Sequence, residues 1–368
     1  MKIARSLLAT TTALVVAIAL AACSNAVNPG TRPSVDPRTA KIGLLLPDSV
    51  TARYESADKP YFAAELTRLC PKCHLLYANA DGDAGKQQQQ AESMLAQGVS
   101  VLVLDPFDSQ AAASIAAEAR ANGIPVISYD RLVDSEHLDY YISFDNEKVG
   151  RLQAQALIDK LAADGAGKGD HGILMLNGSP TDNNAALFKK GAHSVIDKSG
   201  YRLLAEYDTP AWDPAKAQDW VTGQITQFGD RIDGIYAAND VLAGAAIASL
   251  KAADVTPLRP VIGQDAELAA VQRILAGDQY MTVYKAIQPE AEKAAQLAVA
   301  LTRSEHPPAD TTVRVGTAEI PSFLLGVTAV TADNVESSVV KDKFYGPATA
   351  AKICAGDYKA ACAQHGIG

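Results

Sequence analysis

The chain has 368 residues, 48% of them hydrophobic, which is room for about two domains of ~150 residues, each with its own core. Lys and Arg number 33 against 42 Asp and Glu, a formal net charge of −9. That balance excludes nucleic acid as a partner, because binding it needs a basic face that displaces counterions.

Residues 1–23 read as a targeting segment. Lys2 and Arg5 form a positive start, and Leu7–Leu20 is an apolar run too short to span a bilayer comfortably. It closes on Leu20-Ala21-Ala22-Cys23, which looks like a bacterial lipoprotein signal with cleavage before Cys23 and a lipid on its thiol. A plain secretory signal followed by a chance Cys is the alternative. A lipid there would hold the protein on the outer face of the cell membrane without spanning it. Residues 24–39, with Asn, Pro, Thr, Ser and Gly and no apolar periodicity, read as a flexible tether.

From Lys41 the pattern becomes regular. Apolar runs at 41–47, 75–78, 99–104 and 124–129 predict strands buried on both faces. Helical spacing at 61–69, 84–97 and 109–121 separates them, with Gly98 and Gly123 as stops. After Asn146 the alternation resumes. Helices are predicted over 147–163, 185–198, 215–228, 242–252, 266–276 and 289–303, and strands over 172–176, 201–205, 234–238, 261–263 and 280–284. Residues 311–329 read as extended and apolar. Strands alternating with helices predict an α/β fold with two doubly wound parallel-sheet lobes.

In such sheets, polar residues just past the carboxyl ends of strands line the ligand crevice. Asp105, Asp130-Arg131, Asp182–Asn184, Asn239-Asp240, Asp265 and Lys285 fall there. Catalytic signatures are missing. The chain has no Gly-x-Ser-x-Gly elbow, no His-Glu-x-x-His and no phosphate-binding loop. Gly165, Gly167 and Gly169 follow a helix and precede a strand, the wrong order for a dinucleotide loop. The six His residues lack ligand spacing. No enzyme activity, cofactor or metal is expected.

Beyond Cys23, four cysteines remain, an even number for an oxidising compartment. Cys70/Cys73 and Cys354/Cys362 are the sequence-local pairs, and two small disulfides are expected, although spacing alone leaves the connectivity open. A redox or metal site at Cys70, Cys73 and His74 is the rival reading. It lacks a second ligand pair at zinc spacing.

Several segments together resemble the periplasmic sugar-binding proteins of ABC transporters, the xylose-binding branch above all. They are Lys41-Ile-Gly43, Arg53-Tyr54, Ser128–Arg131, Tyr141–Gly150, Gly178–Ala185, Ala238–Asp240, Gly263–Ala266 and Met281–Lys285. The resemblance covers about residues 41–340 and implies the type I periplasmic-binding-protein fold, with a hinge of three crossovers closing on a sugar. These are expected near Phe144–Asn146, Gln279–Met281 and Thr311–Glu319. The first lobe is then 40–145 with 282–312, the second 146–281 with 313–340, and 341–368 is a tail closed by a disulfide.

By motif position, the resemblance places sugar contacts on Arg53, Tyr54, Asp130 and Arg131 of the first lobe. From the second lobe and hinge it adds Asp182, Asn184, Trp212, Asn239, Asp265 and Lys285. Carboxylates accept from sugar hydroxyls, the cations donate, and the amides do both. Tyr54 and Trp212 offer faces to the sugar's C–H groups. Tyr54 stands where the xylose-binding branch carries Trp, which keeps D-xylose, another pentose and a hexose such as glucose all open. Asp182–Asn184 could equally cap a helix, with Asn183 the expected cap, and Trp212 could be core. The implied partners are a monosaccharide, an ABC permease and, through Cys23, a membrane surface, with the protein a monomer. A receptor that signals to a membrane kinase would carry the same fold and site.

Overall fold

The computed structural model describes residues 36–167 and 169–368. The expected signal, the expected lipid at Cys23 and most of the expected tether lie outside the described residues.

The first sheet is built on β1 (Lys41–Leu46), β3 (Val101–Leu104) and β4 (Val126–Tyr129), short runs with almost every side chain buried. Burial on both faces is what an apolar strand without alternation requires. With β2 (His74–Asn79), β5 (Tyr140–Phe144), β11 (Thr311–Val315) and β12 (Ala318–Leu325), the order is β11-β12-β5-β4-β3-β1-β2. Every pairing is parallel except β11 with β12. On one face, α1 (Lys59–Leu69) and α9 (Ile287–Thr302) cover Ile42, Leu44, Val103 and Ile127. On the other, α2 (Ala84–Ala96) and α3 (Ala113–Ala121) cover Leu45, Leu102 and Leu104.

The second lobe repeats the plan. The strands β6 (Gly172–Asn177), β7 (Arg202–Asp208), β8 (Ile232–Ala237) and β9 (Val261–Ile262) form a parallel sheet ordered β7-β6-β8-β9. Its helices are α4 (Asn146–Ala163), α5 (Asn183–Ser199), α6 (Pro214–Phe228), α7 (Asp240–Ala252) and α8 (Leu268–Leu275). The α4–α5 contact depends on two glycines. A Cβ on Gly150 would lie 1.9 Å from the Phe188 carbonyl oxygen, and one on Gly191 2.1 Å from that of Glu147.

Two expected boundaries move. Strand β10 (Thr282–Lys285) pairs antiparallel with β13 (Val327–Val330), and Val283 exchanges backbone hydrogen bonds with Gly263 and Asp265. Residues 282–285 therefore belong to the second lobe, and the chain crosses at Ala286 rather than near Gln279–Met281. Residues 313–325 belong to the first, because β12 pairs with β5 from Ser322↔Tyr141 to Leu325↔Phe144. Without β12, β5 would present an open edge. The third crossing falls at Gly326, not within 311–319. The first falls at Asp145, whose N–H donates to the Leu325 carbonyl at 3.3 Å. All three connections are short and adjacent.

Both expected disulfides are present, Cys70–Cys73 and Cys354–Cys362. The second closes the tail, which carries α10 (Thr349–Ile353) and α11 (Lys359–Gln364) and packs Ile353, Cys362 and Ile367 on Val271, Ile274 and Tyr284.

Candidate functional site

The carboxyl ends of both sheets face one narrow cavity of about 20 Å³. All ten residues named from the sequence line it, together with Thr51, Phe188 and Gln264.

From the first lobe, Asp130 and Arg131 follow β4 directly. Asp130 adopts φ 53°, a left-handed conformation that costs a non-glycine residue about 1 kcal/mol or more. Its carbonyl is gripped by Ser143 Oγ at 2.6 Å, Asn184 Nδ2 at 3.1 Å and Tyr141 Oη at 3.3 Å, which fixes the turn. Its carboxylate accepts from Tyr54 Oη at 3.2 Å and lies 3.3 Å from Arg53 Nη1. Burial pushes the Asp130 pKa up, but Arg53, Lys285 and Arg131 outweigh it and hold the group below its ordinary value. Arg53 is itself clamped, donating to Asp58 at 2.9 and 2.6 Å and to Glu290 at 2.8 Å. Two guanidinium groups lie near the Tyr54 ring, Arg53 Cζ 5.4 Å and Arg131 Cζ 5.6 Å from its centroid.

Arg131 bridges the lobes. Nη2 donates to Asp48 at 3.1 Å on its own side, and Nε lies 3.0 Å from Asp182 Oδ2 on the other. Asp182, not Asn183, caps α5, its Oδ1 accepting from Asn184 N at 2.8 Å. Capping does not compete with facing the cavity, because the second oxygen is free for Arg131 and for Trp212 Nε1 at 3.0 Å. Burial, partly offset by Arg131, raises the Asp182 pKa. Asn184 reaches Asp130 and accepts from Asn146 at 2.8 Å.

Trp212 is core and cavity wall at once: 4% exposed, edge-on to Phe188 at 6.5 Å, and packed over Gly178, where a Cβ would lie 2.1 Å from its ring. Asn239 caps α7, accepting from Leu242 N at 2.9 Å. Asp265, at φ 97°, accepts from Gln264 at 2.9 Å and lies 3.0 Å from Lys285 Nζ. Burial works against the Lys285 charge, yet Asp265 and Asp130 raise its pKa above the ordinary value. Beneath Asp265, buried Asp240 accepts from Gln279, Thr282 and the Glu267 N–H. Desolvation lifts the Asp240 pKa to about 7 and that of Glu267 to about 8.

Sequence reasoning missed the supports. Glu290 reaches Arg53 from 237 residues away, with no local signal. Phe188 had one, since it lies one helical turn beyond Asn184 on α5. Gln264 adjoins Asp265 at the end of β9 and was passed over for its charged neighbour.

A parallel two-lobed α/β protein with donors, acceptors and aromatic faces buried between the lobes has the build of a small-molecule receptor. The chain belongs to the periplasmic binding protein family, whose domain matches residues 42–306. It is 37% identical over 312 residues to the D-xylose-binding periplasmic protein of Escherichia coli (strain K12), spanning 84% of this chain and 92% of that one. It is 32% identical over 323 residues to the multiple sugar-binding periplasmic receptor ChvE of Rhizobium radiobacter, spanning 83% and 90%. Among solved structures, a carbohydrate-transporter solute-binding protein from Chloroflexus aurantiacus, in complex with D-glucose, superposes with a TM-score of 0.77. It is 30% identical and covers 84% of this chain and 98% of that one. These relatives are binding proteins, and this chain is a binding protein rather than an enzyme.

Proposed function

We propose that the protein is an extracytoplasmic receptor that encloses one monosaccharide between its lobes and delivers it to an ABC permease, held at the membrane by a lipid on Cys23. D-xylose is the first candidate and D-glucose the second, from the relatives and the glucose complex. The observation that carries the reading is the cavity lining. Carboxylates of Asp130, Asp182 and Asp265, cations of Arg53, Arg131 and Lys285, and amides of Asn184 and Asn239 surround a space walled by Tyr54, Phe188 and Trp212. A pyranose has hydroxyls around its rim and apolar C–H faces, and charge-assisted hydrogen bonds to such hydroxyls contribute about 1.5–3 kcal/mol each.

Calorimetry of the mature chain against xylose, glucose, arabinose, ribose and galactose tests it. Heat with xylose and weaker or no heat with the others is expected. Heat with glucose alone would move the assignment to a hexose, and silence across the panel would end the sugar reading. Loss of sugar uptake on deletion, with sugar-induced transcription intact, is expected of a transport receptor; the reverse would make it a sensor. Metabolic labelling with a palmitate analogue, lost in Cys23→Ser, tests the lipid.

A further inference from the structure

The cluster around Arg131 contains one carboxylate that does nothing visible. Asp105, at the end of β3, is 0% exposed. Its backbone is used, N–H to the Leu45 carbonyl at 2.9 Å and C=O accepting from Gln87 Nε2 at 2.8 Å. Its side chain is not: neither carboxylate oxygen accepts a hydrogen bond from a described residue. Buried polar groups without partners are rare, and a carboxylate is the costliest kind to leave so. The nearest cation is Arg131, whose Nε lies 3.9 Å from Asp105 Oδ1.

That same Nε is 3.0 Å from Asp182. The two carboxylates sit on opposite lobes, Asp105 on the first sheet with Arg131, Asp182 on the second. The charged side chains of the cavity lining are buried. Arg53, Asp130, Arg131, Asp182 and Lys285 are each 6% exposed or less, so a ligand enters only when the lobes part about the connections at Asp145, Ala286 and Gly326. Parting carries Asp182 away with α5, while Asp48 and the Pro106 carbonyl keep the other end of the guanidinium on the first lobe. Arg131 Nε then faces Asp105, and a shift of about 1 Å brings the two into hydrogen-bond range.

We propose that Asp105 is the open-state partner of Arg131, a carboxylate that the guanidinium exchanges for Asp182 as the lobes close, so that Asp105 sets how readily the receptor closes. This rests on the receptor reading. Asp105 is a positioning residue and touches no ligand. In the closed state the charges that act on it are those of Asp130, Arg131, Arg53 and Asp58, and it in turn acts on the Tyr54 hydroxyl. Burial first, and the Asp130 charge next, push its pKa far above the carboxylate range despite Arg131. Closure therefore favours protonated Asp105 and opening favours the ionised pair. Raising the pH shifts the balance toward the open form and weakens binding.

The test is Asp105→Asn in the mature chain, which removes the charge and keeps the shape. D-xylose and D-glucose are titrated from pH 6 to 8.5, and solution scattering is recorded without sugar. The exchange predicts at least about fivefold tighter binding, within the range of ordinary conformational couplings. It also predicts a flatter pH profile than wild type and a smaller radius of gyration without sugar. Asp182→Asn should weaken binding, and by a smaller factor in the Asp105→Asn background. Wild-type affinity and pH profile in Asp105→Asn would overturn the proposal. Should no sugar bind wild type, the receptor reading fails and scattering still decides the exchange, an unchanged radius counting against it. Asp105→Ser, with the same expected shifts, replaces Asp105→Asn if that variant does not fold.

Discussion

Asp265 and Lys285 form a buried pair 3.0 Å apart, and each depends on the other. Asp265→Ala would leave the Lys285 ammonium buried with its nearest carboxylate gone, a loss of about 3–5 kcal/mol. The expected outcome is a lower urea midpoint and sugar binding too weak for calorimetry, with Asp265→Asn intermediate. Unchanged affinity in Asp265→Ala would remove the residue from the site. Single positions were legible in the sequence where a polar residue interrupts the end of an apolar strand, as at Asp130 and Asp265. The sequence did not distinguish two roles on one side chain: Asp182 caps α5 with one oxygen and faces Arg131 with the other. Nor could it supply Glu290 or Asp58, which follow no strand in sequence and act by holding Arg53.

The helices were legible from their apolar spacing and from stops such as Gly98 and Gly123, while their exact starts are set by capping side chains. Asp83, Asp145 and Asp213 each accept from backbone N–H groups of the first turn. The final strands were harder. An extended run such as 311–329 shows that strands exist but not which sheet edge they complete, and here it divides among β11, β12 and β13. The α4–α5 contact carries the prediction at this scale. Gly191→Ala would drive a methyl into the Glu147 carbonyl, where backbone rather than a flexible side chain must yield. Overpacking of that kind costs typically 1–3 kcal/mol, sometimes more. A fall of that size in unfolding free energy is expected for Gly191→Ala, whereas Gly223→Ala on α6, with nothing within 4 Å, should not fall. Equal effects in the two variants would contradict the close approach.

At the scale of the molecule, the lobes are closed and joined at the mouth as well as in the cavity. Ser109 N donates to the Thr181 carbonyl at 2.9 Å, and Asn183 N donates to Ser109 Oγ at 3.2 Å. Ser109 lines no part of the cavity, so Ser109→Ala should weaken sugar binding by about 1 kcal/mol, roughly fivefold, through closure alone. An unchanged Kd would place the mouth outside the closing contacts. Ligand that binds only the folded form should also raise stability, by about 2.7 kcal/mol at a hundred times Kd. Asp240 and Glu267 add a pH dependence. Their folded pKa values, about 7 and about 8, lie above the ordinary 3.8 and 4.5, so the folded state holds protons that the unfolded state has released. Their contribution to stability is fully present below the ordinary values and is lost as pH rises through 7–8. Urea unfolding at pH 5.5 and pH 8 should give the lower midpoint at pH 8.

The cavity's ion network has one more consequence. Arg53, Arg131 and Lys285 are the three cations within it, while Asp48, Asp58, Asp105, Asp130, Asp182, Asp265 and Glu290 supply seven carboxylates. Each cation is already committed to acids. A ligand bearing a carboxylate or phosphate would meet no spare positive charge and would itself be stripped of water, the most unfavourable transfer a small molecule can undergo. The expected consequence is a filter as well as a grip, with uronic acids and sugar phosphates excluded and uncharged sugars of similar shape admitted. Glucuronic acid and glucose 6-phosphate should give no calorimetric heat where glucose or xylose does.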